Sequence, residues 1–220
     1  MTTALITAIS ECFGCTSALA GTIAAKCQPL NSDPGDTIYP YRTDFDRSCV
    51  MIAGEAREMA YGRNGQSLLL HHVKPHDLFG AIFSDETGAA PAQVTAILPT
   101  STAQIKSSTM IQLIECYPNV AVGITRQLVR RLDETRRRVV EETMLSAAGR
   151  VCAELSRRSA ATSDNIVRPM PVFADLAITV NSTRETVSRT VSKLEARGIV
   201  RRVANGLQIV ALHRLDEMAV

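Results

Sequence analysis

Arg184, Glu185, Ser188, Arg189 and Ser192 fall at the spacing that gathers residues on one side of a helix. Their chemistry is that of base-edge recognition. A guanidinium donates two parallel hydrogen bonds to guanine, a carboxylate accepts from cytosine, and a serine hydroxyl suits either role. A plainer reading makes them the solvated charges of an ordinary surface helix. It explains the charges, but not why core period, turn and cap all agree in the same stretch.

The stretch is Val172 to Arg202, VFADLAITVNSTRETVSRTVSKLEARGIVRR. Leu176, Ala177 and Val180 have the three- and four-residue steps of a buried helical face, and Val187, Val191 and Leu194 repeat them. Asn181 separates the two runs, and asparagine tolerates the left-handed backbone of a sharp helix end. Ser182-Thr183-Arg184-Glu185 then reads as a capping box, hydroxyl and carboxylate each satisfying a free amide. Two helices around a tight turn are expected, the second presenting the polar face.

DLAITVNSTRETVSRTVSKLEARGIV resembles the winged helix-turn-helix of the bacterial regulators grouped around the cyclic-AMP receptor protein and FNR, the CRP/FNR family. Family recognition helices carry an R-E-T-V-x-R or E-x-x-S-R core, and Arg184-Glu185-Thr186-Val187-Ser188-Arg189 contains both. Asn181 stands where the family usually has glycine. The resemblance implies an α+β chain: a jelly-roll β-barrel sensory domain over 1–117, a dimerisation helix over 118–142, and a winged helix-turn-helix over 143–220.

Charge is distributed accordingly. The net +2 conceals 7 Lys/Arg against 11 Asp/Glu in residues 1–125, and 17 against 11 in residues 126–220, where 16 of the cations are Arg. A basic C-terminal half suits a phosphate backbone. No apolar run reaches the length of a membrane span, and no basic region precedes the short apolar start, so a cytoplasmic protein is expected. There the six Cys stay mostly reduced.

Along the chain, residues 1–30 read as a helical lead-in holding Cys12, Cys15 and Cys27. Four thiolates would satisfy an iron–sulfur cluster, and Cys49 and Cys116 follow. The gap from Cys15 to Cys27 exceeds that of FNR, however, and no Cys lies within Ser107–Ile111, where the distant ligand is sought. Structural thiols, no metal and no cofactor are therefore expected. Redox or metal sensing through Cys12, Cys15 and Cys27 (an iron–sulfur cluster included) is the alternative. A cytosolic thiol-redox protein would need a strand before Cys12, and none is legible.

Residues 31 to about 105 read as short strands with turns at Asn31–Gly35, Gly54, Gly62–Gly65 and Pro75–Gly80. Their order resembles the family's sensory barrel. The effector residues depart from it. Cyclic-nucleotide-binding members place a Glu after the loop glycine and an Arg-Ser/Thr pair soon afterwards. Here Gly80 is followed by Ala81 and Ile82, Gln93 lies in the later stretch, and no Arg occurs between Arg63 and Arg126. A buried phosphate would lack its bidentate cation. His71 and His72, adjacent on a strand, point to opposite faces, and His76 sits in a turn. A carbon-monoxide-sensing relative has its haem His where this chain has Phe83. Core or solvated histidines are expected.

From Pro118 to about Glu142 one long helix is expected. Ala121, Thr125, Leu128, Leu132, Thr135 and Val139 trace a heptad seam, with Leu128, Leu132 and Val139 as the homodimer contacts that the resemblance implies. Ser146 to Arg158 resembles the family's first DNA-domain helix, and residues 160–170 read as a loop. Ile199–Val203, Asn205-Gly206 and Leu207–Val210 form a wing hairpin, and His213–Met218 a closing helix. The function implied is a homodimeric transcription regulator, not an enzyme, on a palindrome in double-stranded DNA, with RNA polymerase as a further partner. Arg184, Glu185, Ser188 and Arg189 are the candidate base readers. Ser182, Thr183, Thr186, Lys193, Arg201 and Arg202 are the candidate phosphate contacts.

Overall fold

The computed structural model describes residues 3–40, 46–62, 66–81 and 92–219. The chain divides into two compact units, Met1–Asp133 and Glu134–Val220.

The first unit opens with α1 (Thr3–Phe13) and α2 (Ser17–Ala24), followed by β1 (Gln28–Ser32), β2 (Thr37–Tyr39), β3 (Arg47–Ala53), β4 (Ala56–Tyr61), β5 (Ser67–Val73), β6 (Leu78–Gly80), β7 (Ala92–Ala96) and β8 (Thr100–Lys106). The strands form two antiparallel sheets in the orders β1-β8-β3-β6 and β2-β7-β4-β5. Consecutive strands thus alternate between sheets except at the β4–β5 hairpin, which is the jelly-roll arrangement expected from the sequence. Between the sheets lie Ile38, Cys49, Met51, Ala56, Val73, Phe79, Val94 and Ala96. Gly54 takes φ +90, and a Cβ there would lie 2.4 Å from the Pro99 carbonyl oxygen, so the strand breaks at the one residue type that fits.

A second core on the other side of β3 joins Val50, Leu78, Ala103 and Ile105 to α1, α2, α3 (Ser107–Cys116) and the start of α4 (Pro118–Met144). Gly123 on α4 touches α1 closely, since a Cβ would come within 2.5 Å of the Phe13 backbone. Two expectations need correcting. The helical lead-in ends at Ala24, and β1 begins at Gln28. β1 is an edge strand, which is why Pro29 fits it without costing a ladder hydrogen bond. Residues 107–116, left without an element from the sequence, form α3. The expected turn at Gly62–Gly65 falls largely outside the described residues, as do Ile82 and Phe83.

The second unit contains the end of α4, then α5 (Ala147–Ala160), β9 (Ile166–Val167), α6 (Phe173–Thr179), α7 (Arg184–Ala196), β10 (Val200–Val203), β11 (Gly206–Ile209) and α8 (Leu212–Glu217). Val151, Leu155, Leu176, Val187, Val191, Leu194, Leu207 and Leu215 belong to one core that holds the three main helices and the hairpin together. The loop expected over 160–170 includes β9, which pairs with β11 and makes the wing three-stranded. Gly206 also has a different role from the one expected. Val203 pairs with Gly206, so the turn residues are Ala204 and Asn205. Glycine is required at 206 because a Cβ would lie 2.4 Å from the Val167 carbonyl oxygen.

Candidate nucleic-acid interface

The turn between α6 and α7 follows the sequence pattern. Leu176, Ala177, Val180, Val187, Val191 and Leu194 are all buried, so the inner faces of both helices are those read from spacing. Asn181 takes φ 48, the left-handed conformation expected of it. The cap is displaced by one residue. Thr183, not Ser182, is the N-cap of α7, and its hydroxyl accepts from the Thr186 N–H at 3.2 Å. The Ser182 N–H instead donates to the Ala177 carbonyl at 2.9 Å, closing the end of α6. Glu185 therefore lies in the first turn of α7, where its charge complements the helix N-terminus.

Packing of the apolar side turns the polar side outward. Arg184, Glu185, Arg189, Ser192 and Lys193 are exposed, and Ser188 is half-buried among them. Among the described residues the side chains of Arg184, Glu185 and Arg189 enter no ion pair or hydrogen bond. Thr186 is half-buried, and its hydroxyl lies 3.0 Å from that of Thr183. Ser182 is half-buried and Thr183 exposed at the same helix start.

The two wing arginines differ. Neighbouring strand residues project to opposite sides. Arg202 reaches Glu195 on α7 through Nε at 2.8 Å and a second nitrogen at 3.3 Å. Arg201 is exposed and forms no such pair among the described residues. A phosphate approaching Arg202 would compete with Glu195, whereas Arg201 is free to meet one.

Sequence reading missed the groups that hold this interface in place. Ser146 caps α5 by accepting from the Gly149 N–H at 3.0 Å. Arg150, one turn later, donates to the carbonyls of Val180 (2.8 Å), Asn181 (3.0 Å) and Leu145 (3.1 Å). A cation near a helix N-terminus is unfavourably placed with respect to the dipole, and that was the available hint that Arg150 serves another element. Glu154, buried on α5, pairs with Arg157 and Arg158, and Arg157 also reaches Glu141 on α4. Burial pushes the Arg138 guanidinium down, opposed by Glu142, Glu134 and Glu154.

In the first unit, Val120, Gly123, Ile124 and Gln127 form the buried side of α4. The seam positions Leu128, Leu132 and Val139 are 52%, 49% and 58% exposed, an apolar row without cover in the single chain. Asp77, buried at the β5–β6 turn, accepts from the Lys74 N–H at 2.9 Å, lies 3.3 Å from His71 Nε2, and pairs with Arg130 of α4. Burial alone would raise its carboxyl. The hydrogen bonds from His71 and Lys74 and the Arg130 charge outweigh that, leaving it below the ordinary value.

The thiols other than Cys116 are placed unfavourably for nucleophilic chemistry. Cys12, Cys15, Cys49 and Cys152 are buried, Cys27 is half-buried and Cys116 is exposed. Burial pushes Cys12, Cys27 and Cys49 up to about 12 and Cys152 to about 11, and it raises Cys15 as well. An activated CxxC pair requires the opposite shift. Among the described residues no three His, Cys, Asp or Glu gather as a metal would need. No single described helix is long and apolar enough to cross a membrane.

Comparison with known proteins is consistent with these features. Residues 149–218 match the model of the Crp-like helix-turn-helix domain. The CRP-like cAMP-activated global transcriptional regulator of Mycobacterium tuberculosis is 24% identical over 208 residues, 92% of each chain. Among solved structures, a CooA mutant from Carboxydothermus hydrogenoformans superposes with a TM-score of 0.79 at 15% identity, covering 90% of both chains. The c-di-GMP responsive global regulator CLP of Xanthomonas campestris gives 0.76 at 17% identity, over 88% of this chain and 99% of that one. With its helix-turn-helix matched directly and its likeness to a curated regulator running nearly end to end, the chain carries a Crp-like helix-turn-helix domain and is similar over most of its length to a CRP-like transcriptional regulator.

Proposed function

We propose that the protein acts in the cytoplasm as a homodimer, each α7 entering a major groove at one half-site of a palindrome, with the half-sites about one helical turn apart. The observation that carries this is the outer face of α7, where Arg184, Glu185 and Arg189 stand exposed beside Ser188. Buried guanidinium–carboxylate pairs would mark a structural helix; groups held outward on a rigid, capped helix are available for base edges. Ser182, Thr183, Thr186, Lys193 and Arg201 flank that face as phosphate contacts, and Arg202 joins them by exchanging Glu195 for phosphate.

In this reading residues 1–117 sense, 118–142 dimerise and 143–220 bind DNA, with RNA polymerase as the downstream partner. The exposed row Leu128, Leu132 and Val139 supports a two-fold seam along α4, since a long apolar stripe on a lone helix is more stable covered. Replacing Leu128 and Leu132 together with Lys places like charges across that seam. The variant is expected to sediment as a monomer and lose palindrome binding while keeping its far-UV spectrum. An unchanged dimer would place the interface elsewhere.

The effector is not a cyclic nucleotide in this reading, although the curated relatives include cAMP-activated regulators. The Gln93 amide is engaged by the Thr37 and Thr95 hydroxyls at 3.1 Å each. A neutral amide also makes a weaker bond to phosphate than the charge-assisted fork of an arginine. Burial, which raises the thiols, likewise disfavours nucleophilic redox chemistry at Cys12, Cys15 and Cys27.

A further inference from the structure

We infer that Arg150 is a positioning residue for DNA reading: its guanidinium joins the α4–α5 joint to the α6–α7 turn and thereby fixes the spacing at which the protein accepts two half-sites. This rests on the two-half-site reading above. Arg150 uses three different nitrogens on three carbonyls: Nε on Val180, one terminal nitrogen on Asn181 and the other on Leu145. Val180 is the C-cap of α6, and Asn181 is the left-handed turn residue. Leu145 directly follows the end of α4. Both of the helix ends it grips carry partial negative charge, so a cation is favoured there on electrostatic grounds as well as by hydrogen bonding.

The three carbonyls have a common consequence. Asn181 pays a backbone cost that glycine would not, and a donor on its carbonyl holds that conformation in place. The next residues, Ser182 and Thr183, start α7, so a turn held at Asn181 sets the direction in which α7 leaves. Leu145 lies between the end of α4 and Ser146, the cap of α5, so the same side chain also sets how α5 departs from α4. The ion pair of Arg157 with Glu141 also links α5 to α4, but it does not touch the turn. A planar fork with fixed angles suits this task, and a flexible ammonium does not.

The test uses the full-length protein and two duplexes. One is the palindrome recovered by selection from random DNA. The other is the same sequence with one base pair inserted at its centre, which rotates the half-sites by roughly 35°. The wild type should prefer the first by about tenfold or more, since a rigid dimer cannot follow the rotation. Arg150→Met, checked by circular dichroism, should cut that preference to about threefold or less by letting the joint and turn relax. Arg150→Lys keeps the cation but not the fork, and it should lose the preference similarly while remaining folded; it decides the matter if Arg150→Met unfolds. A folded variant that keeps the wild-type preference would overturn the inference, even if it melted earlier or bound both duplexes more weakly. A wild type indifferent to the insertion would overturn the two-half-site reading itself, and this inference with it.

Discussion

Gln127 offers a sharp test of how the long helix is anchored. It is 9% exposed on the buried side of α4, and both ends of its amide are used. Oε1 accepts from the Leu78 N–H at 2.8 Å, and Nε2 donates to the Cys12 carbonyl at 2.9 Å, with Cys12 Sγ at 3.1 Å. One side chain thus ties α4 to β6 and to the end of α1. Gln127→Leu preserves bulk but removes both bonds, leaving a buried donor and a buried acceptor without this partner. Each orphaned group costs about 1–3 kcal/mol, and the added apolar burial returns part of that, so a net loss of about 3 kcal/mol is expected. Tyrosine fluorescence under urea is the suitable assay. The chain has no Trp, and Tyr39, Tyr41, Tyr61 and Tyr117 all lie in the first unit, so the signal reports that unit alone. The midpoint should fall with little change in slope. A loss below about 1 kcal/mol would show that neither bond matters and that apolar packing anchors α4 by itself.

Three further outcomes follow from the same contacts. Asp77 is depressed in the folded state, so its ionised form stabilises the fold above the unfolded pKa of about 3.9, and that contribution is lost as pH falls through the folded value. Asp77→Asn should therefore flatten the acid limb of the stability curve below about pH 4 relative to wild type; parallel limbs in urea titrations would contradict the network. A thiol held near 12 is only about one part in ten thousand thiolate at pH 8, so native alkylation should label exposed Cys116 first and Cys12, Cys27 and Cys49 far more slowly, as mass spectrometry of peptides would show. Cyclic AMP and cyclic GMP at millimolar concentration should leave palindrome affinity unchanged, and micromolar binding by calorimetry with a tenfold gain in affinity would reverse the reading of the pocket.

The helix-turn-helix was legible because its determinants are local. Val187, Val191 and Leu194 show the helical period, Asn181 marks the turn, and the hydroxyl pair Ser182-Thr183 marks the start of α7 to within one residue. Both hydroxyls can cap, and the choice fell to Thr183 because the Ser182 amide was needed by Ala177. The jelly roll was legible as a class from its turns, whereas β1 was hidden by Pro29 and its polar neighbours, whose place on a sheet edge is not a local property. β9, two residues long, has no period to read. Arg150 and Gln127 were invisible for a further reason: their partners are backbone groups distant in sequence, and a carbonyl has no signature in the amino-acid code.

The central claim is that the exposed face of α7 reads base edges from two symmetric half-sites. Selection of bound sequences from random duplex DNA, carried out in parallel with wild type and Arg189→Ala, tests it most directly. The wild type should enrich a palindrome with half-site centres roughly 10–10.5 base pairs apart. Arg189→Ala should retain the palindrome but lose preference at one position per half-site, with about 1–3 kcal/mol less affinity for the wild-type sequence. Enrichment of no symmetric site, or of the same site with unchanged preference by both proteins, would contradict the account.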